Sequence, residues 1–264
     1  MLKPMHFEDH KAFLEDLLNT DMRRLEAHYQ RVTTNMKDEF YKSDFYKDLS
    51  SMLAYLNDQY LMDTQFELLD LSKCLAMDTK EFDKMLEKCY RKDVLYNEHW
   101  KDTDETWTES YEWAHPINCF EKLNDTLRTK VLIRYLDGVD IILKAFAEIS
   151  KKHGYSFVID YKAEERGYYG VHFVVKFPFE VENLGHPIGT KRTLTNVEIQ
   201  ICTQISEVVN ELLHEYYERQ RLEIPSPDRK WQWDYESDEF TPAYLGHITH
   251  YVEGVIMQAR QKGS

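Results

Sequence analysis

Glycine is absent from the first 137 residues, and Pro4 is the single proline before Pro116. Breaks between elements in that half therefore rest on Asn, Asp, Ser and Thr, which suits helices joined by short polar turns. Cysteine is scarce: Cys74, Cys89, Cys119 and Cys202 stand apart, with no CxxC pair and no Cys/His ligand spacing. That excludes a disulfide framework and a structural zinc site, and it predicts a reducing, cytoplasmic setting. No apolar run reaches the roughly 20 residues that cross a bilayer, and Met1 to His10 lacks the layout of a secretory leader. Positive charge is also short, 33 Lys and Arg against 47 Asp and Glu, a formal net charge of −14. Such a chain repels nucleic acid as a class, while a small anionic ligand remains compatible with a local basic cluster.

What is present is a folding composition, 42% hydrophobic with 14% aromatic residues over 264 positions. From about His6 to Arg91 the period is helical throughout. Phe7, Phe13, Leu14, Leu17, Leu18 and Leu25 give one apolar stripe, and Leu49, Met52, Leu53, Leu56 and Tyr60 give a second. Asp78-Thr79-Lys80-Glu81 reads as an N-cap before Phe82, Met85, Leu86 and Cys89. Residues 97–119 form an acidic-aromatic connector with Trp100, Trp107 and Trp113 among its carboxylates.

From Phe120 the period changes. Val131 to Tyr135 is β-rich, Gly138 to Lys152 is a helix, and strands follow at Tyr155–Tyr161, Gly170–Phe179 and Leu194–Ile201. Glu182 to Thr193 reads as a loop or hairpin, Gln204 to Leu222 as a helix carrying His214, and Tyr244 to Arg260 as a final helix. In that last helix Leu245, Ile248, Tyr251, Val252, Val255 and Ile256 share an apolar side. The expected architecture is a mixed α/β (α+β) sheet core at 120–264 with helices at both ends and a helical region at 1–96.

Four pieces bear chemistry: Glu121-Lys122-Leu123-Asn124-Asp125 running into a strand, Asp160-Tyr161, Gly167-Tyr168-Tyr169-Gly170-Val171-His172, and Val197-Glu198-Ile199-Gln200-Ile201-Cys202-Thr203. On the last, apolar residues alternate with Glu198 and Gln200, so a carboxylate and an amide share one face of a strand. In order and residue type the set resembles the synthetase domain of the RelA/SpoT family, over roughly Phe120 to Arg219. The resemblance implies an α+β synthetase that moves pyrophosphate from ATP to the 3′-hydroxyl of a guanine nucleotide. It places Asp125 and Glu198 at the acidic positions, as Mg²⁺ ligands or, for Glu198, a base. Tyr168 falls at the aromatic that stacks on the acceptor base, and His172 near the acceptor phosphates. Lys130 stands for a motif arginine, Arg134 adds a nearby cation, and Gln200 lies beside Glu198 to orient substrate or water.

This sequence also departs from the family pattern. The arginine after Gly-Tyr is Tyr169, another is Cys202, an asparagine is Glu207, and the motif glycine after Asp125 is lost. The basic Arg-x-Lys…Ser…Lys helix that grips the ATP donor is expected shortly before Asp125, where the acidic connector has Lys101 alone. Arg128, Lys130, Arg134, Lys162 and Arg166 are candidates for a rearranged cluster. Two readings follow. One is a divergent Mg-dependent nucleotidyl- or pyrophosphotransferase making a nucleotide signal from (d)NTPs, by resemblance in a toxin or antiphage defence system. The other is a catalytically silent nucleotide-binding regulator acting through a protein partner or as a homo-oligomer.

Overall fold

The computed structural model describes residues 4, 6–96, 114–184, 186–211 and 231–263. The expectations for the acidic connector at 97–113 and for His214 lie outside the described residues. Helices α1 (Phe7–Leu18), α2 (Met22–Lys42) and α3 (Asp44–Thr64) come first, then strand β1 (Asp78–Thr79) and helix α4 (Phe82–Tyr90). A short α5 (Cys119–Lys122) precedes β2 (Leu127–Ile133), α6 (Gly138–Lys152), β3 (Phe157–Ala163), β4 (Tyr169–Asn183) and β5 (His186–Thr203). Helix α7 covers residues 204–211, and α8 (Phe240–Gly263) ends the described chain. The strands form one five-stranded sheet in the order β1-β2-β5-β4-β3, with β1 antiparallel to β2 and β3 antiparallel to β4. The α+β class and the helices at both ends are as the sequence predicts.

Two compact units divide the chain, each drawn from three stretches. The first holds Met1–Ser43, Met77–Arg128 and Lys176–Glu198. Its core is aromatic: Tyr29 of α2 lies 5.6 Å from Phe82 of α4 and stacks on Phe120 at 5.7 Å, and Phe40 meets Phe177 edge-on at 5.2 Å. Leu25, Met85, Leu86 and Cys89, which the helical period assigns to inner faces, are fully buried there, as is Met36.

The second unit holds Asp44–Ala76, Thr129–Val175 and Ile199–Ser264. Phe146 of α6 packs on Phe173 of β4 at 5.7 Å, and Phe157 of β3 stacks on the same ring at 5.0 Å. Buried Asn57 accepts from the backbone N–H groups of Leu68 and Leu69, both at 3.0 Å, tying α3 to the chain beyond it.

One local reading changes. Asp78-Thr79 is not a helix cap but a two-residue strand, and the residue at the start of α4 is Glu81, whose side chain makes no cap bond. Residues 182–193 take the hairpin alternative, because β4 runs to Asn183 and its sheet neighbour β5 starts at His186. In α8 the apolar side faces outward: Leu245, Ile248, Tyr251, Val252, Val255 and Ile256 are 37–74% exposed, while Thr249 and Glu253 are buried.

Candidate functional site

In the first unit the chemistry gathers on Asp125. β1 pairs with the start of β2, Asp78 opposite Arg128 and Thr79 opposite Leu127, and the next bond in line runs from Lys80 N–H to the Thr126 carbonyl at 3.1 Å. That register sets buried Lys80 beside Asp125, and its Nζ lies 2.9 Å from Asp125 Oδ2. Helix α4 brings Lys88, whose Nζ lies 2.6 Å from Asp125 Oδ1. Each carboxylate oxygen thus holds one ammonium. The Lys80 carbonyl is itself fixed by the Tyr29 hydroxyl, which donates to it at 2.7 Å from inside the aromatic core.

The electrostatics follow from this crowding. Burial alone would raise the Asp125 pKa, but the charges of Lys88 and Lys80 overcome it and hold the group at about 2. Lys80 is pushed down, first by its own burial and then by the nearby cations Lys88 and Arg128, against the pull of Asp125. Arg128 in turn donates to Asp78 at 2.7 and 3.0 Å. Three cations face two carboxylates here, a local excess of positive charge in a chain of net −14. As arranged, Asp125 fits a lysine clamp; a divalent cation would have to displace an ammonium. Among the described residues no group of three His, Cys, Asp or Glu side chains lies together for a metal.

Glu198 belongs to the same unit. It is 7% exposed, between the fully buried Val197 and Ile199, so β5 is covered on both faces at this point rather than wet on one. A buried carboxylate is costly unless it is paired or hydrogen-bonded. β5 and β2 are sheet neighbours, and Asn196 donates to Asn124 at 2.8 Å, which sets the stretch carrying Glu198 beside the stretch carrying Asp125.

In the second unit, Tyr168 and His172 come together, the hydroxyl 2.9 Å from Nε2 with the rings edge-on. Tyr168 closes the β3–β4 turn, its carbonyl accepting from Glu164 N–H at 2.9 Å. Its ring then lies along β4 over Gly170, where a Cβ would sit 3.2 Å from the Tyr168 hydroxyl. Lys130 and Arg134 are not joined: Lys130 is ion-paired with the buried Glu207, and Arg134 with Glu67. Cys202 donates to Glu207 at 3.6 Å, and burial followed by that carboxylate pushes its thiol far up. Gln200 is half-buried on β5. Each of the five basic candidates, Arg128, Lys130, Arg134, Lys162 and Arg166, has a carboxylate partner: Asp78, Glu207, Glu67, Asp160 and Glu239 in turn.

The residues that sequence reasoning missed are Lys80 and Lys88. The resemblance expects cations in the connector just before Asp125, whereas the two lysines that pair with Asp125 come from farther upstream. The signal was present as Asp78-Thr79-Lys80 followed by lysines at 84 and 88 on one helix face. Reading it required knowing that β1 pairs with β2.

No family model matches the chain, and no curated protein sequence does. Solved structures do match in fold. The small alarmone synthetase 1 from Bacillus subtilis superposes with a TM-score of 0.51 at 15% identity, over 85% of this chain and 96% of that one. A structure of that synthetase bound to its product pppGpp gives 0.51 at 16%, over 82% and 90%. A GTP pyrophosphokinase family protein from Streptococcus pneumoniae gives 0.50 at 14%, over 85% and 93%. The chain has the RelA/SpoT-type synthetase fold.

Proposed function

We propose that the protein is a nucleotide pyrophosphotransferase that moves a pyrophosphoryl group from a nucleoside triphosphate to the hydroxyl of a second nucleotide, yielding a nucleotide signal. The observation that carries this is the Lys80–Asp125–Lys88 clamp on a synthetase fold. Buried Lys80 behind the partly exposed Lys88 and Arg128 makes a cationic group in an acidic chain, suited to the phosphates of a donor. Their charge offsets the negative charge that develops as the phosphoryl bond breaks. Glu198 is proposed as the base that takes the proton of the attacking hydroxyl. Tyr168, held by His172, is proposed to stack on the acceptor base. Lys130, Arg134 and Gln200 are proposed as substrate contacts, the two cations sharing or exchanging their present carboxylate partners. Mg²⁺ belongs to this reading as the companion of the nucleotide substrates.

The test is incubation with mixed NTPs and dNTPs in the presence of Mg²⁺, with products read by mass spectrometry. A pyrophosphorylated nucleotide should form, and Glu198→Ala should reduce it by about a hundredfold or more, within the usual range for loss of a general base. No product, or undiminished product from the variant, rejects the reading. A signal-making role of the toxin or antiphage kind further requires that expression arrest growth and that Glu198→Ala relieve the arrest.

One observation favours a second reading, a catalytically silent nucleotide-binding regulator. Lys130 and Arg134 are already paired with carboxylates of this chain. Calorimetry showing tight nucleotide binding with no turnover would select it, and turnover lost on Asp125→Asn would exclude it.

A further inference from the structure

We propose that helix α8 is a brace that positions the Tyr168–His172 pair, acting through Tyr169; the acceptor role given to that pair is the reading argued above. Five ties join the C-terminal stretch to the β3–β4 turn. Gln232 hydrogen-bonds Glu165, and Arg166 pairs with Glu239 at 3.1 Å. Gly167, at φ +81°, meets the start of α8 backbone to backbone: a Cβ on it would lie 2.3 Å from the Ala243 carbonyl oxygen. The contact is reciprocal, since a Cβ on Gly246 would lie 2.1 Å from the Gly167 carbonyl oxygen. Neither position admits a side chain while the two backbones touch.

The remaining ties are two histidines on α8. His247 Nε2 lies 2.9 Å from the Glu165 carbonyl, and its Nδ1 lies 2.9 Å from the Tyr169 hydroxyl. A carbonyl only accepts, so Nε2 carries the proton and Nδ1 is left to accept from Tyr169. One ring thereby bridges the turn and the first residue of β4. His250, one residue short of the next helical turn, stacks on the Tyr169 ring at 3.9 Å with 8° between planes.

Tyr169 is thus gripped at its face and at its hydroxyl, and it is bonded directly to Tyr168. Successive strand residues project to opposite sides. Tyr169 going to α8 therefore obliges Tyr168 to the other side, where it lies over Gly170 and reaches His172. Tyr169, His247 and His250 are positioning residues in this scheme and need not touch substrate. Loosening them should let Tyr168 swing without unfolding the unit, because the Phe146–Phe173–Phe157 stack is built from other residues.

The test uses the full chain, with Tyr169→Phe, which keeps the ring stacked on His250 and removes the hydroxyl, and with His247→Ala. Amide hydrogen exchange without nucleotide should accelerate several-fold in residues 164–172 and stay unchanged in α6. With substrates, the acceptor KM should rise roughly threefold to tenfold, the size of one lost hydrogen bond, with the donor KM unmoved. His247→Asn puts an acceptor near the former Nδ1 and should recover part of the loss. Unchanged exchange in 164–172, or an equal drop in kcat for all variants with no change in acceptor KM, overturns the brace. Failure of the pyrophosphotransfer reading looks different: the wild-type chain gives no product while the exchange difference persists.

Discussion

Two histidines in the first unit are held neutral by burial alone. His10 of α1 is 1% exposed, lies between Phe13 and Tyr90 at 6.0 and 5.4 Å, and has its pKa pushed down to about 4. His115 is likewise pushed to about 4 by burial. Both are depressed below the unfolded value of 6.5, so the unfolded chain binds their protons first and stability falls as pH drops from 6.5 toward 4. Asp93 opposes them: burial raises it from 3.8 to about 6, so its protonation favours the folded state over nearly the same window. At about 1.4 kcal/mol per unit each group is worth roughly 3 kcal/mol of pH-dependent stability. Urea unfolding at pH 7 and pH 4 should show His10→Phe losing about 3 kcal/mol less than the unmodified chain over that interval. A second prediction at this scale concerns Asp125. Asp125→Asn leaves Lys80 and Lys88 facing each other without their carboxylate and should cost about 2 kcal/mol, discounted for the partial exposure of Lys88. No change in the urea midpoint would mean that the clamp is not formed in solution.

At the scale of elements, α8 shows what periodicity can and cannot tell. The 3.6-residue pattern identifies the helix, and α6 is read correctly from Gly138 to Lys152 for the same reason. It does not say which face turns inward. In α8 the polar side is the buried one: Glu253 bonds Thr203 and Ser206, and His247 and His250 grip Tyr169. Those partners are distant in sequence, so hydrophobicity alone does not identify the buried face. Strand β1 was missed for a related reason, since two residues show no alternation and its identity comes wholly from β2. Two glycines of α8 test the element directly. Gly246→Ala must force the helix off Gly167 and should destabilise by about 2 kcal/mol, as overpacking does. Gly254, whose Cβ would meet nothing within 4 Å, should gain roughly 0.5 to 1 kcal/mol on the same change. Equal effects at the two positions would show that the Gly167–Gly246 contact does not form.

For the molecule as a whole, charge decides which anions are admitted. A net charge of −14 opposes approach of any long polyanion, and Lys130, Arg134, Lys162 and Arg166 are each paired with a carboxylate. The acidic positions and the Tyr168–His172 pair were legible because they sit in short local motifs. The Lys80–Asp125–Lys88 clamp was not, because a strand pairing and a helix packing assemble it from residues up to 45 positions apart. In the proposed reading this local group of cations takes the triphosphate, and its sign rests on few residues. Lys88→Glu turns three cations against two carboxylates into two against three. Nucleoside triphosphate affinity by calorimetry should then fall roughly tenfold to a hundredfold, the worth of one charge-assisted contact with the added repulsion. Filter binding of tRNA to the unmodified chain should show no salt-sensitive affinity at physiological ionic strength. Unchanged triphosphate affinity in the variant would remove the clamp from substrate binding, and tRNA binding that weakens steeply with salt would mean that basic groups outside the clamp form a polyanion surface despite the net charge.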